Sequence, residues 1–255
     1  MPVAPEASGG VATSFGGAPA ERRFVQNGDV SCRMFRSDVL EALSHVHPAV
    51  PHLIFLPVVA LLLWVAVADS HRPWLIPVAF GFGVLLWTVA EYVIHRFVFH
   101  PPPAIEEDTR RILRGLARGQ AAMAALPTLR HRFYFLVHGV HHDFPNDSRR
   151  LVMPPSVSVP LAALFYPVFR LAFPGSAEAV FAGFVVGYLC YDTIHYLTHH
   201  GVRHTMAGRY LRRAHFQHHY RDSQMNYGVS SPLWDLVLGT RARDPASRDA
   251  VTSGT

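Results

Sequence analysis

Histidines occur in four short clusters: "HRFVFH" at 95–100, "HGVHH" at 138–142, "HYLTHH" at 195–200 and "HFQHHY" at 215–220. Imidazole is the commonest metal ligand near neutral pH. Helical residues three and four positions apart share a face, so each of the last three clusters is expected to direct two or three rings at one point. The first pair, His95 and His100, is about 140° apart on an ideal helix. Pro101 is expected to end that helix and let His100 turn back.

Ten imidazoles are too many for one ion with four to six coordination positions, and they predict a site for two ions. The predicted ligands are His95, His100, His138, His141, His142, His195, His199, His215, His218 and His219. His200 is ambiguous, because it lies beside a pair with the helical spacing but outside it. Six further histidines are interpreted as interface or hydrogen-bonding residues: His45, His47, His52, His71, His131 and His204.

Two acidic residues precede ligand clusters. Glu91 comes one turn before His95, and Asp192 comes three residues before His195. Ionisable groups next to apolar spans are costly and usually functional. Each carboxylate is expected to hold the distal nitrogen of a ligating ring, which fixes the tautomer and strengthens the ring as a donor. The alternative for Glu91 is a salt bridge to Arg96.

The composition predicts a membrane protein. Half of the 255 residues are hydrophobic and 16% are charged, which is low for a soluble protein. Four stretches are apolar enough to cross a bilayer: 53–67, 74–94, 157–173 and 177–197. The two brief connections "ADSHRP" and "FPGSAE" join them into two hairpins. The predicted fold is an all-α integral membrane protein with four transmembrane helices and a His-rich helical cap.

Arginine supplies all of the basic side chains and indicates the orientation. Four arginines precede the first span, nine lie from Arg96 to Arg150, and eight follow the last span. The positive-inside rule therefore places both termini and the long middle loop in the cytoplasm. All four histidine clusters then meet at the cytoplasmic membrane face. Arginines set between long apolar stretches do not form the folded basic face that a nucleic-acid partner requires, so no such partner is expected.

The remaining segments are predicted as follows. Residues 1–33 and 241–255 are expected to be disordered tails around one membrane domain at 34–240. "SDVLEALSHV" is expected to form a helix along the membrane, with Asp38 and Glu41 resembling a capping box. The stretch "IEEDTRRILRGLARGQAAMAAL" has the pattern of an interfacial helix. Cys32 lies in a polar tail and Cys190 inside an apolar stretch, so neither a disulfide nor a thiolate metal site is predicted.

Several blocks of this chain resemble the membrane-bound fatty acid hydroxylase and sterol desaturase superfamily, and within it the fatty acid 2-hydroxylases. The blocks are "RMFRSDVLEALSHVHPAVP", "WTVAEYVIHRFVFH", "HGVHHDFPNDSRRLVMPP", "YDTIHYLTHHG" and "YGVSSPLWDLVLGT", in this order. The resemblance extends over roughly residues 33–240. It implies a dinuclear iron centre on the ten histidines, with zinc as a possible occupant of purified protein.

The resemblance also implies the reaction. O2 is the co-substrate, and a hydroxyl group is inserted at the carbon next to the acyl carboxyl carbon of a fatty acid or of a sphingolipid-type amide. The protein's part is to hold the acyl head so that only this carbon reaches the metals. A head-group pocket is expected after the last histidine cluster, although structural support is the favoured role of these residues: Tyr227, Ser230, Ser231, Trp234 and Asp235.

Two departures from relatives bear on the electron donor and on access of the substrate. Many eukaryotic relatives carry an N-terminal haem domain that delivers electrons. The N-terminal tail here is too short for one, so a separate donor is expected: a ferredoxin-like protein, or a b-type cytochrome with its reductase. The donor's docking face is expected at Arg203, Arg209, Arg212, Arg213 and Arg221, unless these serve only the positive-inside rule. The long stretch between His100 and His138 is expected to cover the substrate entrance.

Three other interpretations stay open. The same chemistry on another lipid would make the protein a sterol methyl oxidase or a carotenoid hydroxylase. A metal transporter also uses histidine and aspartate within spans, but it requires ligands near the bilayer midplane, whereas these histidines lie at span ends and in loops. A zinc-binding structural protein without activity is the third alternative.

Overall fold

The computed structural model describes residues 28–29, 31–117, 119–201 and 205–242. Most of both predicted tails, together with Arg118, Arg203 and His204, lies outside these ranges. The described residues form helices and no strand. The α-helices are α1 (Asp38–Leu43), α2 (Val50–Asp69), α3 (Ile76–Val93), α4 (Pro103–Arg114), α5 (Ala122–Ala125), α6 (Leu129–Tyr134), α7 (Val140–Asp143), α8 (Pro155–Ala172), α9 (Ala177–His200), α10 (Met206–Tyr220) and α11 (Leu233–Val237).

Four helical segments are long and apolar enough to cross a membrane: Val50–Asp69, Pro73–Phe99, Pro155–Ala172 and Ala177–His200. Each corresponds to a predicted span, which confirms the all-α membrane fold. All four exceed their predicted lengths. Pro57, Pro160 and Pro167 lie inside α2 and α8 without ending them, because neighbouring helices and local adjustment in a membrane helix compensate for the missing backbone donor.

Helix α9 is the centre of the bundle. In its most apolar window 67% of the residues are buried within the protein, against 11–17% in the other three spans. The Tyr188 ring of α9 contacts Phe55 of α2 edge-on at 5.7 Å and Trp87 of α3 at 5.5 Å. The other spans therefore direct most of their apolar surface outward, as lipid-facing helices do, while α9 forms the core.

Glycines let α3 and α9 approach each other closely. A Cβ atom at Gly183 of α9 would overlap the backbone carbonyl of Phe80 on α3, and one at Gly83 would overlap the carbonyl of Val180. Small residues at such crossings allow the backbones of membrane helices to come into contact. This contact fixes the position of α3 relative to α9. Predicted ligands follow directly after α3 and lie in the last turns of α9.

Replacing Gly183 with alanine is expected to destabilise the protein by about 1–3 kcal/mol, because the added methyl group must push α3 away. Gly81→Ala on α3 is the matched control. No atom lies within 4 Å of its Cβ position, so this variant is expected to gain up to about 1 kcal/mol from helix propensity. The free energy of unfolding in mixed micelles measures both changes, and equal values for the two variants would contradict the close packing.

The helices outside the four membrane-spanning segments, here called the cap, have their own small core. Met34, Leu113, Ala122, Leu126 and Phe135 are buried together, and Ile112, Leu116 and Met123 pack against them. Helix α4 thus directs its apolar side into this core, and its expected position along the membrane surface stays a prediction. Glu106 and Thr109 of α4 are buried together with Leu113.

The N-terminal segment is attached to the cap by a buried arginine. Arg150 donates to Glu41 Oε1 at 2.6 Å and to the carbonyl of Cys32 at 2.7 Å. Glu41 also accepts from the amides of Met34 and Phe35. Glu41 therefore does not complete a capping box with Asp38. Helix α1 is instead capped by Ser37, whose hydroxyl accepts from the amide of Leu40.

Candidate metal centre

Four chain segments bring the histidines together at one end of the bundle. His95 and His100 follow α3, and the 138–142 triad lies at α7 and the residues before it. His195 and His199 are in the last turns of α9, and α10 carries the 215–219 triad. All ten rings are buried, with at most 7% of any residue exposed. Because α3 and α9 are packed in the membrane, their ends provide a fixed frame for the two triads.

Two π-helical segments, which the sequence did not indicate, adjust the register of the ligands. The first covers Ile94–Phe99, and the amide of His100 donates to the carbonyl of His95 at 3.3 Å. Residues five apart meet on one side of a π-helix, because its hydrogen bonds join residues i and i+5. His100 therefore reaches the site of His95 through the π-turn and not through a reversal at Pro101. A second π-segment, Phe135–Gly139, contains His138.

Each triad divides between two sites. The residues four apart stay together, as His138 with His142 and His215 with His219. The third residue, His141 or His218, joins the opposite site. Positions i+3 and i+4 lie on opposite flanks of position i and about 100° from each other, which explains the division. Of the two or three rings that each triad was expected to direct at one point, two do so.

The result is two neighbouring groups of five imidazoles. Within each group one nitrogen from every ring lies within 4.8 Å of the others. Site 1 consists of His95, His100, His138, His142 and His218, and site 2 of His141, His195, His199, His215 and His219. The two sites share a boundary, where the rings of His142 and His219 stack with centroids 4.2 Å apart.

The facing nitrogen atoms are Nε2. In site 1 the Nε2 atoms of His95 and His138 are 3.1 Å apart, and those of His95 and His100 are 3.2 Å apart. In site 2 the Nε2 atoms of His141 and His195 are 2.8 Å apart, and those of His199 and His215 are 2.9 Å apart. Two nitrogens bound at right angles to one ion at about 2.1 Å would be about 3.0 Å apart.

Hydrogen bonds at the opposite ring nitrogens define the tautomer in site 1. The Nδ1 atoms of His95 and His218 meet the backbone carbonyls of Tyr227 and Met225. A carbonyl oxygen only accepts, so each Nδ1 carries the proton and each neutral ring presents a bare lone pair at Nε2. His100 Nδ1 faces the Glu106 carboxylate in the same way. The Nε2 atoms of His95 and His100 therefore have no proton to share, and a cation between them relieves their repulsion. The two groups can hold metal ions.

Glu106 is a further residue at this site, and the sequence reasoning missed it. Its carboxylate accepts from His100 Nδ1 at 2.7 Å, and the two side chains are at most 5% exposed. The sequence did contain an indication of this role, because Glu106 is an acidic residue six positions after the ligand His100. It was hidden because Glu106 was assigned to a helix expected to lie on the membrane.

Glu91 and Asp192 lie close to the ligands but have other partners than expected. Glu91 accepts from the amides of Val229 and Ser230 at 2.7 and 2.8 Å, and from the Ser230 hydroxyl. Its carboxylate therefore holds the loop whose Tyr227 carbonyl orients His95, and it does not hold the ring directly. The polar neighbours of Asp192 are the Tyr188 hydroxyl and the amide of Met153.

The five residues proposed for a head-group pocket form the support of this loop. Asp235 accepts from the amides of Tyr227 and Gly228 at 2.9 and 2.8 Å. Trp234 Nε1 donates to Thr88 of α3 at 3.0 Å, and the Ser231 hydroxyl accepts from the amide of Leu233. The Tyr227 hydroxyl donates to Gln224, and the Ser230 hydroxyl to Glu91. These polar groups are committed within the protein, which suits support better than substrate binding.

The other histidines among the described residues belong to neither site. His45 Nδ1 donates to the carbonyl of Glu41 at 2.9 Å, and His52 Nε2 is 2.9 Å from the Thr193 hydroxyl. His131 Nδ1 is 2.6 Å from the Thr128 hydroxyl. His200, which the sequence left ambiguous, stacks on Tyr196 at 5.1 Å and belongs to neither group.

Burial favours the neutral form of the six imidazoles in the two triads. Desolvation lowers the pKa of His142 and His219 well below 6.5, and repulsion from the neighbouring rings lowers both further. The pKa values of four other cap histidines shift in the same direction, with burial as the main cause: His138, His141, His215 and His218. Neutral imidazole is the form that binds a metal ion.

Comparison with known proteins agrees with this arrangement. Residues 80–240 match the fatty acid hydroxylase family. The chain is 35% identical over 213 residues to a dihydroceramide fatty acyl 2-hydroxylase of Arabidopsis thaliana, which covers 82% of this chain and 79% of the relative. It is 37% identical over 202 residues to the ceramide very long chain fatty acid hydroxylase of Saccharomyces cerevisiae, covering 79% of this chain and 47% of the relative.

A solved structure agrees as well. The hydroxylase domain visible in full-length scs7p superposes with a TM-score of 0.69 at 34% identity, covering 84% of this chain and 73% of that one. The family match spans well over half of the chain and includes every histidine of both sites. The resemblance seen in the sequence is thereby confirmed, and the chain belongs to the fatty acid hydroxylase family.

Proposed function

We propose that this membrane hydroxylase uses O2 and two iron ions to insert a hydroxyl group at the 2-position of a fatty acid or fatty-acyl lipid. The observation that carries the proposal is the pair of buried sites, in which Nε2 atoms lie 2.8–3.2 Å apart. Imidazole binds zinc and iron alike. Zinc has no redox chemistry, so oxygen insertion into an unactivated C–H bond favours iron over zinc as the working metal.

The names of relatives support the acyl 2-position. The matches include fatty acid 2-hydroxylases of rat and human at 32% identity, besides the plant dihydroceramide enzymes. A free fatty acid and a sphingolipid-type amide share the carbonyl group beside the reacting carbon. Either therefore suits a site that holds the acyl head, and the relatives favour these substrates over a sterol or a carotenoid.

Bound iron would supply the activation of O2 and the removal of a hydrogen atom. The protein's own residues prepare the site for it. Tyr227 and Met225 fix two rings through backbone carbonyls, and Glu106 fixes a third. Phe99 stacks on His138 with centroids 5.0 Å apart. Burial of every ligating ring excludes bulk water, which protects a reactive centre from side reactions.

The positions of the arginines support an orientation of the protein in the membrane. With 17 of 23 arginines in the middle stretch and after the last span, the cap is proposed to face the cytoplasm. Electrons then come from a separate cytoplasmic donor, ferredoxin-like or a b-type cytochrome with its reductase. Arg212 is already engaged, since its guanidinium lies 4.2 Å from the Phe216 ring and donates to the carbonyl of Thr198. It thereby caps α9. The docking face of the donor is proposed on the arginine-rich segment after the last span, which includes Arg209, Arg213 and Arg221.

Lipid analysis tests the proposal. The protein is expressed with iron and a reductase system, and host lipids are compared by mass spectrometry with those of a His218→Ala, His219→Ala variant, which damages both sites. We expect one added oxygen at the acyl 2-position, seen in free acids or amides, only with the intact protein. His45→Ala is the matched control, because its ring contacts Glu41 away from both sites.

Two results would contradict the proposal. Oxygen added to sterols or carotenoids instead would leave the chemistry but change the substrate. The absence of any oxygenated lipid, together with metal ions crossing vesicles that contain the protein, would indicate transport. Buried sites of five histidines each make that second outcome unexpected, since such sites hold an ion tightly instead of passing it on.

A further inference from the structure

Helix α4 brings a carboxylate to site 1. Glu106 is in its first turn and is 4% exposed. One carboxylate oxygen accepts from His100 Nδ1 at 2.7 Å, and the other accepts from the Ser223 hydroxyl at 2.8 Å. His100 is the ligand that stands furthest from regular structure, since it has an extended backbone immediately after the π-segment. Its ring needs support from outside its own helix.

The same helix is fixed beside the second ligand segment. Arg110, one turn after Glu106, donates to Asp143 at 3.3 Å, and Asp143 directly follows His142. The Thr109 side chain between them is fully buried. Glu106 therefore does not reach His100 from a loose loop. It is presented by a helix held against the cap on the same face, which gives the carboxylate a defined position relative to the ring.

Glu106 differs in kind from the other supports seen in site 1. His95 and His218 rest on the backbone carbonyls of Tyr227 and Met225. A carboxylate behind a ligating imidazole does more than a carbonyl. It fixes the ring and its tautomer, and its charge draws the Nδ1 proton and raises the basicity of Nε2. The negative charge also lies near the positive charge of a bound ion.

We propose that Glu106 is a positioning residue that holds His100 for the metal ion of site 1, so that α4 controls how tightly that site keeps its ion. The inference rests on the proposed metal binding. Partners behind metal-bound histidines typically change metal affinity by about 10–100-fold. The effect is confined to site 1, because no ligand of site 2 contacts Glu106 among the described hydrogen bonds.

Metal release by a chelator tests this proposal on the full-length protein in detergent. Protein loaded with zinc is titrated with chelator, and the metal remaining on each chain is measured by mass spectrometry. For the Glu106→Ala variant we expect one of two ions to leave at a chelator concentration about 10–100-fold lower than in the wild type. Glu106→Gln keeps an acceptor for His100 without the charge, and it is expected to fall between the two.

Three controls separate positioning from general support of the fold. Glu107→Gln makes the same charge change at the next, exposed position of α4, and we expect wild-type release. Ser223→Ala removes the other partner of Glu106 but leaves the contact with His100, so retention is expected to change little. The ion of site 2 reports on folding, because it stays bound only if the cap remains intact.

The outcomes are distinct. Wild-type release of both ions from Glu106→Ala would overturn the inference while leaving the metal centre in place. Simultaneous loss of both ions would overturn it too, because Glu106 would then support the cap as a whole. A wild-type protein that binds no ion would refute the proposed function itself.

Discussion

Replacing His141 or His142 with alanine is expected to remove different metal ions, although the two residues are neighbours in the chain. Each substitution should lower 2-hydroxylation by more than about 100-fold, since a lost ligand costs more than the 10–100-fold typical of a residue behind a ligand. His141 belongs to site 2 and His142 to site 1. A purified sample of either variant is expected to retain about one ion per chain.

Pairs of substitutions make this prediction sharper. His141→Ala combined with His215→Ala removes two ligands from site 2, although the residues are far apart in sequence. This pair should still retain one ion. His141→Ala combined with His142→Ala damages both sites and should retain none. Substitutions at independent sites add, whereas two in one site do not add once the ion is lost.

Metal content per chain, with His45→Ala as the unaffected control, measures the result. Equal retention by the two pairs would show that the sites are not divided as the structure has them. Loss of both ions from either single variant would show that the two ions bind only together. Lipid hydroxylation measured on the same samples connects metal content to activity.

Much of this centre could be predicted from spacing. The pairs four residues apart, such as His195 and His199 or His215 and His219, do share a site. Helical periodicity carries this information directly. The convergence of four segments followed from two short connections and the positions of the arginines, which placed the ends of two spans at one membrane face.

The register within the segments could not be predicted in the same way. The π-segments at Ile94–Phe99 and Phe135–Gly139 carry no residue pattern that distinguishes them from α-helix. An extra residue per turn changes which side chains face each other. The division of each triad between the sites depends on the exact rotation of its helix, and tertiary packing sets that rotation.

The supports of the ligands were the least predictable part. Glu91 was identified as important from its position in a span, but its partners are the amides of a loop far along the chain. Which backbone groups a buried acid meets depends on loop conformation, and the sequence does not specify it. The glycines at 83 and 183 would have indicated the close crossing of α3 and α9, since small residues mark such contacts.

Acid is expected to destabilise the metal-free protein steeply as the pH falls below about 6.5. Burial lowers the pKa of six cap histidines well below this value, among them His138, His141 and His218. The folded state then binds fewer protons than the unfolded state, so folding stability falls with falling pH. This contribution is fully present above the unfolded pKa of about 6.5 and is lost toward the lowered values.

The size of the effect follows from the number of rings. Each imidazole with a lowered pKa adds up to about 1.4 kcal/mol per pH unit to the slope, and six act in the same direction. Burial raises the pKa of the Asp143 carboxyl to about 7, which offsets part of this slope. The change remains large against the total stability of many domains, about 5–15 kcal/mol. Bound metal opposes it, because ions bind the neutral rings and compete with protons.

Thermal unfolding in detergent between pH 8 and pH 5, followed by circular dichroism, measures this dependence. The midpoint of the metal-free protein should be nearly constant above pH 7 and fall increasingly below pH 6.5. The zinc-loaded protein should begin to fall at lower pH. A variant with His138, His215 and His219 replaced by glutamine, which does not titrate, should show a shallower dependence, because it lacks three of the depressed groups. A midpoint unchanged from pH 8 to pH 5 in the metal-free protein would mean that these rings are hydrated, and buried neutral lone pairs would no longer account for metal binding.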